Sequence, residues 1–181
     1  MDLSFNYDLD LFKNLGLTLK VDVDYHSNNE NHFSIALFNN LLENGIKNFS
    51  IVPTANKYDN TDFIITNTLT NAKMYIELKC RDIRYENYES YFVNANKIKA
   101  IEQKNLVPCI LVWRFGYKIY YIIYDDDFKI KYKTNSVWTI TGNANANVMN
   151  VLKKDMTTGF DNLTNRIISI LCLKWKAFHT R

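Results

Sequence analysis

Asp62, Glu77 and Lys79 are the residues of this chain whose types and spacing could do chemistry together. The stretch from Met74 to Arg81 reads MYIELKCR. Alternation along an extended strand sets Met74, Ile76, Leu78 and Cys80 on one face and Tyr75, Glu77 and Lys79 on the other. Glu77 and Lys79 then project side by side, about 6.5–7 Å apart at a rise of ~3.3 Å per residue. Asp62 opens the preceding apolar run, DFIIT, at the edge of a polar loop. If 62–66 and 73–80 pair as a hairpin, the chain doubles back and brings Asp62 toward Glu77. Two carboxylates converging beside a lysine repel each other and raise one carboxyl's pKa, a penalty that a divalent cation removes. An oxygen donor set without Cys or His suits a hard ion, Mg²⁺ or Mn²⁺. Such an ion polarises a phosphodiester, helps form hydroxide from bound water and neutralises the leaving oxygen. Lys79 would orient or deprotonate the water, or stabilise the pentacovalent phosphorus. The bland alternative is a surface ion pair between Glu77 and Lys79 worth ~0–1 kcal/mol. Asp62, standing where a partner carboxylate is needed, favours the site.

Positioning these groups requires particular elements. Leu17–Tyr25, LTLKVDVDY, alternates as a half-buried strand. Phe33, Leu37 and Leu41 recur at helical spacing after Ser27–Glu30, with Gly45 as the C-cap. FSIVP (49–53) reads as a short strand. Strands at 63–66 and 73–80 follow, joined by an Asn/Thr-rich turn. Residues 82–90 read as polar loop and 93–105 as a helix. VPCILVWRF (107–115) and KIYYIIY (118–124) are strands turning at Gly116, and Asp125–Asp127 closes the pair. Residues 141–160 read as loop, and 161–179 as a last helix capped by Asp161 or Asn162. The expectation is one α/β (α+β) domain over 1–181, with a mixed central β-sheet flanked by helices. Its core spans about 28–124, and a C-terminal helical extension about 128–181.

At 47% apolar and 14% aromatic, the chain of 181 residues can fill a core, and a net charge of +3 permits nucleic-acid binding without arguing for it. The three cysteines, Cys80, Cys109 and Cys172, form no CxxC pair, which points away from a disulfide framework or a zinc site. No apolar run reaches the roughly 18–20 residues of a membrane span. With no leader-like N-terminus, a cytoplasmic, nucleoid or virus-associated setting is expected, not a secreted one. Abundant Asn, Lys, Ile and Tyr point to an AT-rich genome, such as that of a phage, a virus or a low-GC bacterium.

Asp62 followed by Glu77-Leu78-Lys79 resembles the PD-(D/E)XK nuclease signature, an acid at a strand start and then (D/E)-x-K on the next strand. Thr61 stands where the family name has proline. The resemblance covers roughly 28–124 and implies a restriction-endonuclease-like core of helix, three strands, helix and strand. It implies that Asp62, Glu77 and the Leu78 carbonyl hold Mg²⁺ or Mn²⁺, with Lys79 as the catalytic lysine. Many members add an acid from the first helix, which matches Glu30, and a polar residue on the second helix, for which Lys97 is the candidate. The implied function is a metal-dependent DNA endonuclease of the resolvase, homing/phage or restriction type, acting on double-stranded or branched DNA; a homodimer would suit the cutting of two strands. The alternatives are an RNA endonuclease of the cap-snatching kind, or an inactive nucleic-acid-binding module of the same fold.

Competing readings stay open. Ser27 and Glu30 also fit a capping box. His26 and His32 flank Glu30 as ligand candidates, though such histidines are more often surface residues. Asp59 rivals Asp62, and Asp22 and Asp24 read as a solvent face. Consecutive acids at Asp125–Asp127 suit a turn better than a metal. Trp113, Tyr120, Tyr121 and Tyr124 read as core. Arg166, Lys174, Lys176 and Arg181 on the last helix could touch phosphate, form a dimer face or simply be solvated.

Overall fold

The computed structural model describes residues 18–19, 28–54, 61–81, 83–106, 108–132, 137–141 and 144–178. In chain order these form β1 (Thr18–Leu19), α1 (Asn28–Glu43), β2 (Phe49–Pro53), β3 (Phe63–Asn67) and β4 (Lys73–Arg81). A 3₁₀ turn at Ile83–Tyr85 leads to β5 (Ser90–Asn94), α2 (Ala95–Gln103), β6 (Cys109–Phe115), β7 (Lys118–Tyr124) and α3 (Asp126–Lys131). Then come β8 (Val137–Thr141), β9 (Ala144–Leu152), a 3₁₀ turn at Lys153–Asp155, β10 (Thr157–Thr158) and α4 (Phe160–Phe178).

The expected order of helix, three strands, helix and strand is found as α1, β2, β3, β4, α2 and β6. Among the described residues a seven-stranded mixed sheet runs β1-β2-β3-β4-β6-β7-β10, with β1/β2 and β4/β6 parallel and the other pairs antiparallel. The parallel β4/β6 pair needs a crossover, which β5 and α2 supply.

The two faces of this sheet carry different cores. Met74, Ile76 and Leu78 join Ile110, Val112, Ile119 and Tyr121 beneath Phe33, Leu37 and Leu41 of α1 and Leu163, Ile167 and Leu171 of α4. The helical spacing of those side chains is what lets each helix lay one stripe on the sheet. Leu111, Trp113, Tyr120 and Tyr124 face the other way, against Ile98 and Ile101 of α2 and Val93, Met149 and Val151 of β5 and β9. The four aromatic residues read as core are buried. α1 ends as a Schellman motif: Gly45 (φ 73°) donates to the Leu42 carbonyl at 2.9 Å and Ile46 to that of Leu41 at 3.0 Å.

Several expectations need correction. Residues 141–160 are not loop: most belong to β9, a 3₁₀ turn and β10. β9 is the centre of a second, antiparallel sheet, β5-β9-β8. Its Asn-rich ANANVMNVL has low β propensity, and pairing on both sides overrides that. Ser90, expected in a loop, and Val93 and Asn94, expected in a helix, belong to β5. Asp125 does not merely close a hairpin: its carboxylate accepts the Phe128 N–H at 2.9 Å and caps α3. Neither Asp161 nor Asn162 caps α4, which begins at Phe160 after Gly159 (φ 96°). The strand expected over Leu17–Tyr25 is described only at Thr18–Leu19. Ser27, His26, Asp59, Asp22, Asp24 and the side chains of Lys174, Lys176 and Arg181 lie outside the described residues.

Candidate active site

β3 is shorter than β4, and the candidate site lies where it starts. Phe63 pairs with Ile76, and one residue earlier Asp62 donates its N–H to the Ile76 carbonyl at 2.8 Å. Its own carbonyl accepts from the Thr54 N–H at 3.0 Å, and the Thr54 hydroxyl donates to the Thr61 carbonyl at 2.6 Å. The Asp62 backbone is thus fixed between β2 and β4. Beyond this point Leu78 has no β3 residue to pair with, and its N–H donates to Asp62 Oδ2 at 2.6 Å. A carboxylate therefore closes the ladder. In an extended strand the N–H and C=O of one residue lie along the same edge, so the Leu78 carbonyl also faces the Asp62 side.

Glu77 points to the face covered by α2 and is 1% exposed. Lys79 Nζ lies 2.5 Å from its Oε1. Lys97 reaches it from α2, with Nζ 2.6 Å from Oε1 and 2.7 Å from Oε2. The same ammonium lies 4.0 Å from Asp62 Oδ1. Lys97 sits in the first turn of α2, where a cation opposes the helix dipole, and its ion pair with Glu77 offsets that penalty. Asn94 starts this helix by accepting the Asn96 N–H at 2.8 Å. Burial pushes the Glu77 carboxyl up, the Asp62 charge pushes it further, and the two lysines pull against both; the net shift is upward.

Four of the five residues singled out from the sequence, Asp62, Glu77, Lys79 and Lys97, therefore meet at one place. Glu30 belongs to α1, on the opposite side of the sheet, and its charge bears on Cys80, the inward neighbour of Lys79. Burial raises the Cys80 thiol most, Arg114 lowers it, and Glu30 and Asp62 raise it. Asp62 is thus felt on both faces of β4. His32 is exposed.

Asp62, Glu77 and the Leu78 carbonyl are the oxygen groups here that could hold a hard cation. The Lys97 ammonium bridges the two carboxylates, so a single positive charge already stands between them. Among the described residues no group of three or more His, Cys, Asp or Glu could hold a metal ion. Two carboxylates, a backbone carbonyl and waters are nonetheless a usual complement for Mg²⁺.

A second buried carboxylate escaped the sequence reading. Glu86, 6% exposed, receives Lys118 Nζ and Lys153 Nζ at 2.9 Å each, together with the Tyr120 hydroxyl. Its carbonyl accepts the Tyr91 hydroxyl at 2.6 Å and Lys153 Nζ at 2.8 Å. The Tyr120 hydroxyl and the two lysines hold its carboxyl down at about 2. Nothing in the polar run around Glu86 signals this, because every partner but Tyr91 lies far along the chain.

No family model matches the chain, and no curated protein matches it in sequence. Among solved structures, a Holliday junction resolvase from Archaeoglobus fulgidus, an archaeal hyperthermophile, aligns over 68% of this chain and 87% of its own. The identity is 9% and the TM-score 0.40. A likeness at that level decides neither the fold nor the activity of this chain. No described helix is long and apolar enough to cross a membrane.

Proposed function

We propose that the protein is a metal-dependent endonuclease that hydrolyses DNA phosphodiester bonds at the junction of β3 and β4. The observation that carries this reading is the single ammonium held between Asp62 and the buried Glu77, with Lys79 on the same carboxylate. In this reading Asp62, Glu77 and the Leu78 carbonyl hold Mg²⁺ or Mn²⁺. When bound, the ion polarises the scissile phosphate and lowers the pKa of a coordinated water.

The protein's own groups do the rest. Lys79, 2.5 Å from Glu77 Oε1, would orient the attacking water or stabilise charge on the phosphorus oxygens. Lys97, 2.6 Å from Glu77 Oε1 and 4.0 Å from Asp62 Oδ1, would supply positive charge at the edge of the site. The buried wall of the second core keeps Glu77 in a medium of low dielectric, which strengthens each of these contacts. A homodimer would give two such sites for two strands.

The test is nicking of supercoiled plasmid and of branched and continuous oligonucleotides with Mg²⁺ or Mn²⁺, with single-stranded RNA alongside. Wild type should cut DNA only with metal. Asp62→Asn and Lys79→Ala should each lose roughly 10²–10³-fold in rate, the usual cost of removing one such charged or donor group. Cleavage of RNA alone would reassign the substrate. Metal-independent cutting, or none that these variants abolish, overturns the reading.

A further inference from the structure

β4 does not end at the candidate site. Past Lys79 it runs to Arg81, and the chain then turns at Ile83–Tyr85. Eight large apolar side chains are exposed among the described residues, and five of them, Ile83, Tyr85, Tyr88, Phe92 and Tyr117, belong to this turn, to β5 after it and to the tip of the β6–β7 hairpin. Tyr117 is 83% exposed, Tyr88 54% and Tyr85 44%. The turn and the hairpin tip adjoin, since a side chain built on Gly116 would meet Ile83 Cδ1 at 3.5 Å. The Tyr85 and Tyr88 rings stand edge to face with centroids 5.6 Å apart. Exposed aromatic groups concentrated like this mark an interaction surface.

The surface is held rigid. Glu86 lies between the two tyrosines in sequence and is the carboxylate clamped by Lys118, Lys153 and Tyr120. That clamp ties the turn to β7 and to the segment after β9, so the rings project from a pinned backbone. Preorganised rings lose little freedom when they bind.

We propose that this turn and hairpin tip form a stacking platform for unpaired bases of a nucleic-acid strand whose backbone continues to the candidate site. The proposal rests on the nuclease reading and narrows its substrate to DNA with a single-stranded or frayed arm. Aromatic faces accept any base, and Lys79 lies two residues before the end of β4, the strand that leads into this turn. Arg81, exposed at the end of β4, adds positive charge to the path between the turn and Lys79. Glu89 is exposed in the same segment and offsets part of that positive charge, so the rings provide most of the attraction.

The test is binding by the full chain in metal-free buffer. The probes are a continuous duplex and the same duplex with a single-stranded arm carrying 2-aminopurine beside the fork. Wild type should favour the armed probe by about 5- to 150-fold for each base stacked, and should quench its fluorescence. The Tyr85→Ala/Tyr88→Ala/Tyr117→Ala variant should lose both the preference and the quenching while binding the continuous duplex as before. The corresponding triple Phe variant should keep them. Equal affinity for the two probes, an unquenched arm, or self-association that the Ala variant abolishes with no change in oligonucleotide binding overturns the platform. Because binding is read without metal, quenching in a chain that never cuts leaves the platform standing and sinks the nuclease reading. Metal-dependent cutting with no quenching does the reverse.

Discussion

Glu77 and Glu86 are both buried carboxylates, each met by two lysine ammonium groups, and their proton affinities move in opposite directions. At Glu86 two lysines and the Tyr120 hydroxyl answer one negative charge, and the carboxyl is held down at about 2. At Glu77 burial and the Asp62 charge outweigh Lys79 and Lys97, and the carboxyl is held up. The lysine count is the same. The difference is the second carboxylate at Glu77 and the hydroxyl donor at Glu86. A carboxylate with surplus donors is a fastening. One crowded by another carboxylate remains open to a different cation.

Isosteric neutralisation separates the two most sharply. Glu77→Gln should lower metal-dependent cleavage by about 10²–10³-fold, judged by plasmid nicking, while its urea midpoint stays near wild type. Removing a charge that the fold disfavours costs little. Glu86→Gln should do the opposite, lowering the urea midpoint clearly while the folded fraction cuts continuous duplex at close to the wild-type rate. It leaves Lys118 and Lys153 beside a neutral amide. If Glu77→Gln unfolds the chain and Glu86→Gln silences it, the roles assigned here are exchanged.

The two carboxylates also set opposite pH slopes. Glu86 has a folded value below its ordinary 4.5, so its contribution is complete above 4.5 and is lost as pH falls toward about 2. Glu77 has a raised value, so its contribution is complete below 4.5 and fades as pH climbs through that raised value. Urea midpoints measured from about pH 2 to about pH 7 should therefore show a shallower acid limb in Glu86→Gln. In Glu77→Gln the decline on the rising side should flatten instead.

The same contrast explains what could be read from the chain alone. Asp62, Glu77 and Lys79 belong to one hairpin, so strand alternation and a short turn suffice to bring them together. Met74, Ile76 and Leu78 fall on the face opposite Glu77, as alternation requires. Lys97 enters from a helix whose capping Asn94 and apolar Ile98 and Ile101 are visible in the sequence. Glu86 shows nothing comparable, because its burial depends on Lys118, Tyr120 and Lys153, which arrive through long-range pairing. β9 was hidden for a related reason: its asparagines predict loop, and only β5 and β8 on either side make it a strand. Glu30 is an intermediate case. Its helix was legible, but the face of the sheet that helix covers is settled by the packing of Phe33 and Leu37.

A smaller effect tests how open the Glu77 side is. Lys97 stands where a shared cation would stand, so Lys97→Met should strengthen metal binding even as it removes a charge from the site. Two unit charges 4 Å apart in water exchange about 1 kcal/mol, which corresponds to roughly a fivefold lower half-saturation. Titration with Mn²⁺ followed by electron paramagnetic resonance, or with Tb³⁺ by luminescence, measures it without reference to cleavage. Unchanged or weaker metal binding in this variant means that Lys97 does not compete for the position.

Asn94 joins the two regions, and its substitution should have the smallest effect. It is the last residue of β5, the strand that follows the Glu86 turn, and its side chain caps α2, the helix that carries Lys97 to Glu77. Asn94→Ala removes the acceptor for the Asn96 N–H and should cost about 1 kcal/mol of stability in urea denaturation. The informative readout is metal half-saturation in the folded protein. A frayed first turn loosens Lys97, so half-saturation should shift part of the way toward the Lys97→Met value. A stability loss with no such shift would mean that Ile98 and Ile101 alone hold α2 in place, and that the ammonium finds Glu77 without help from the cap.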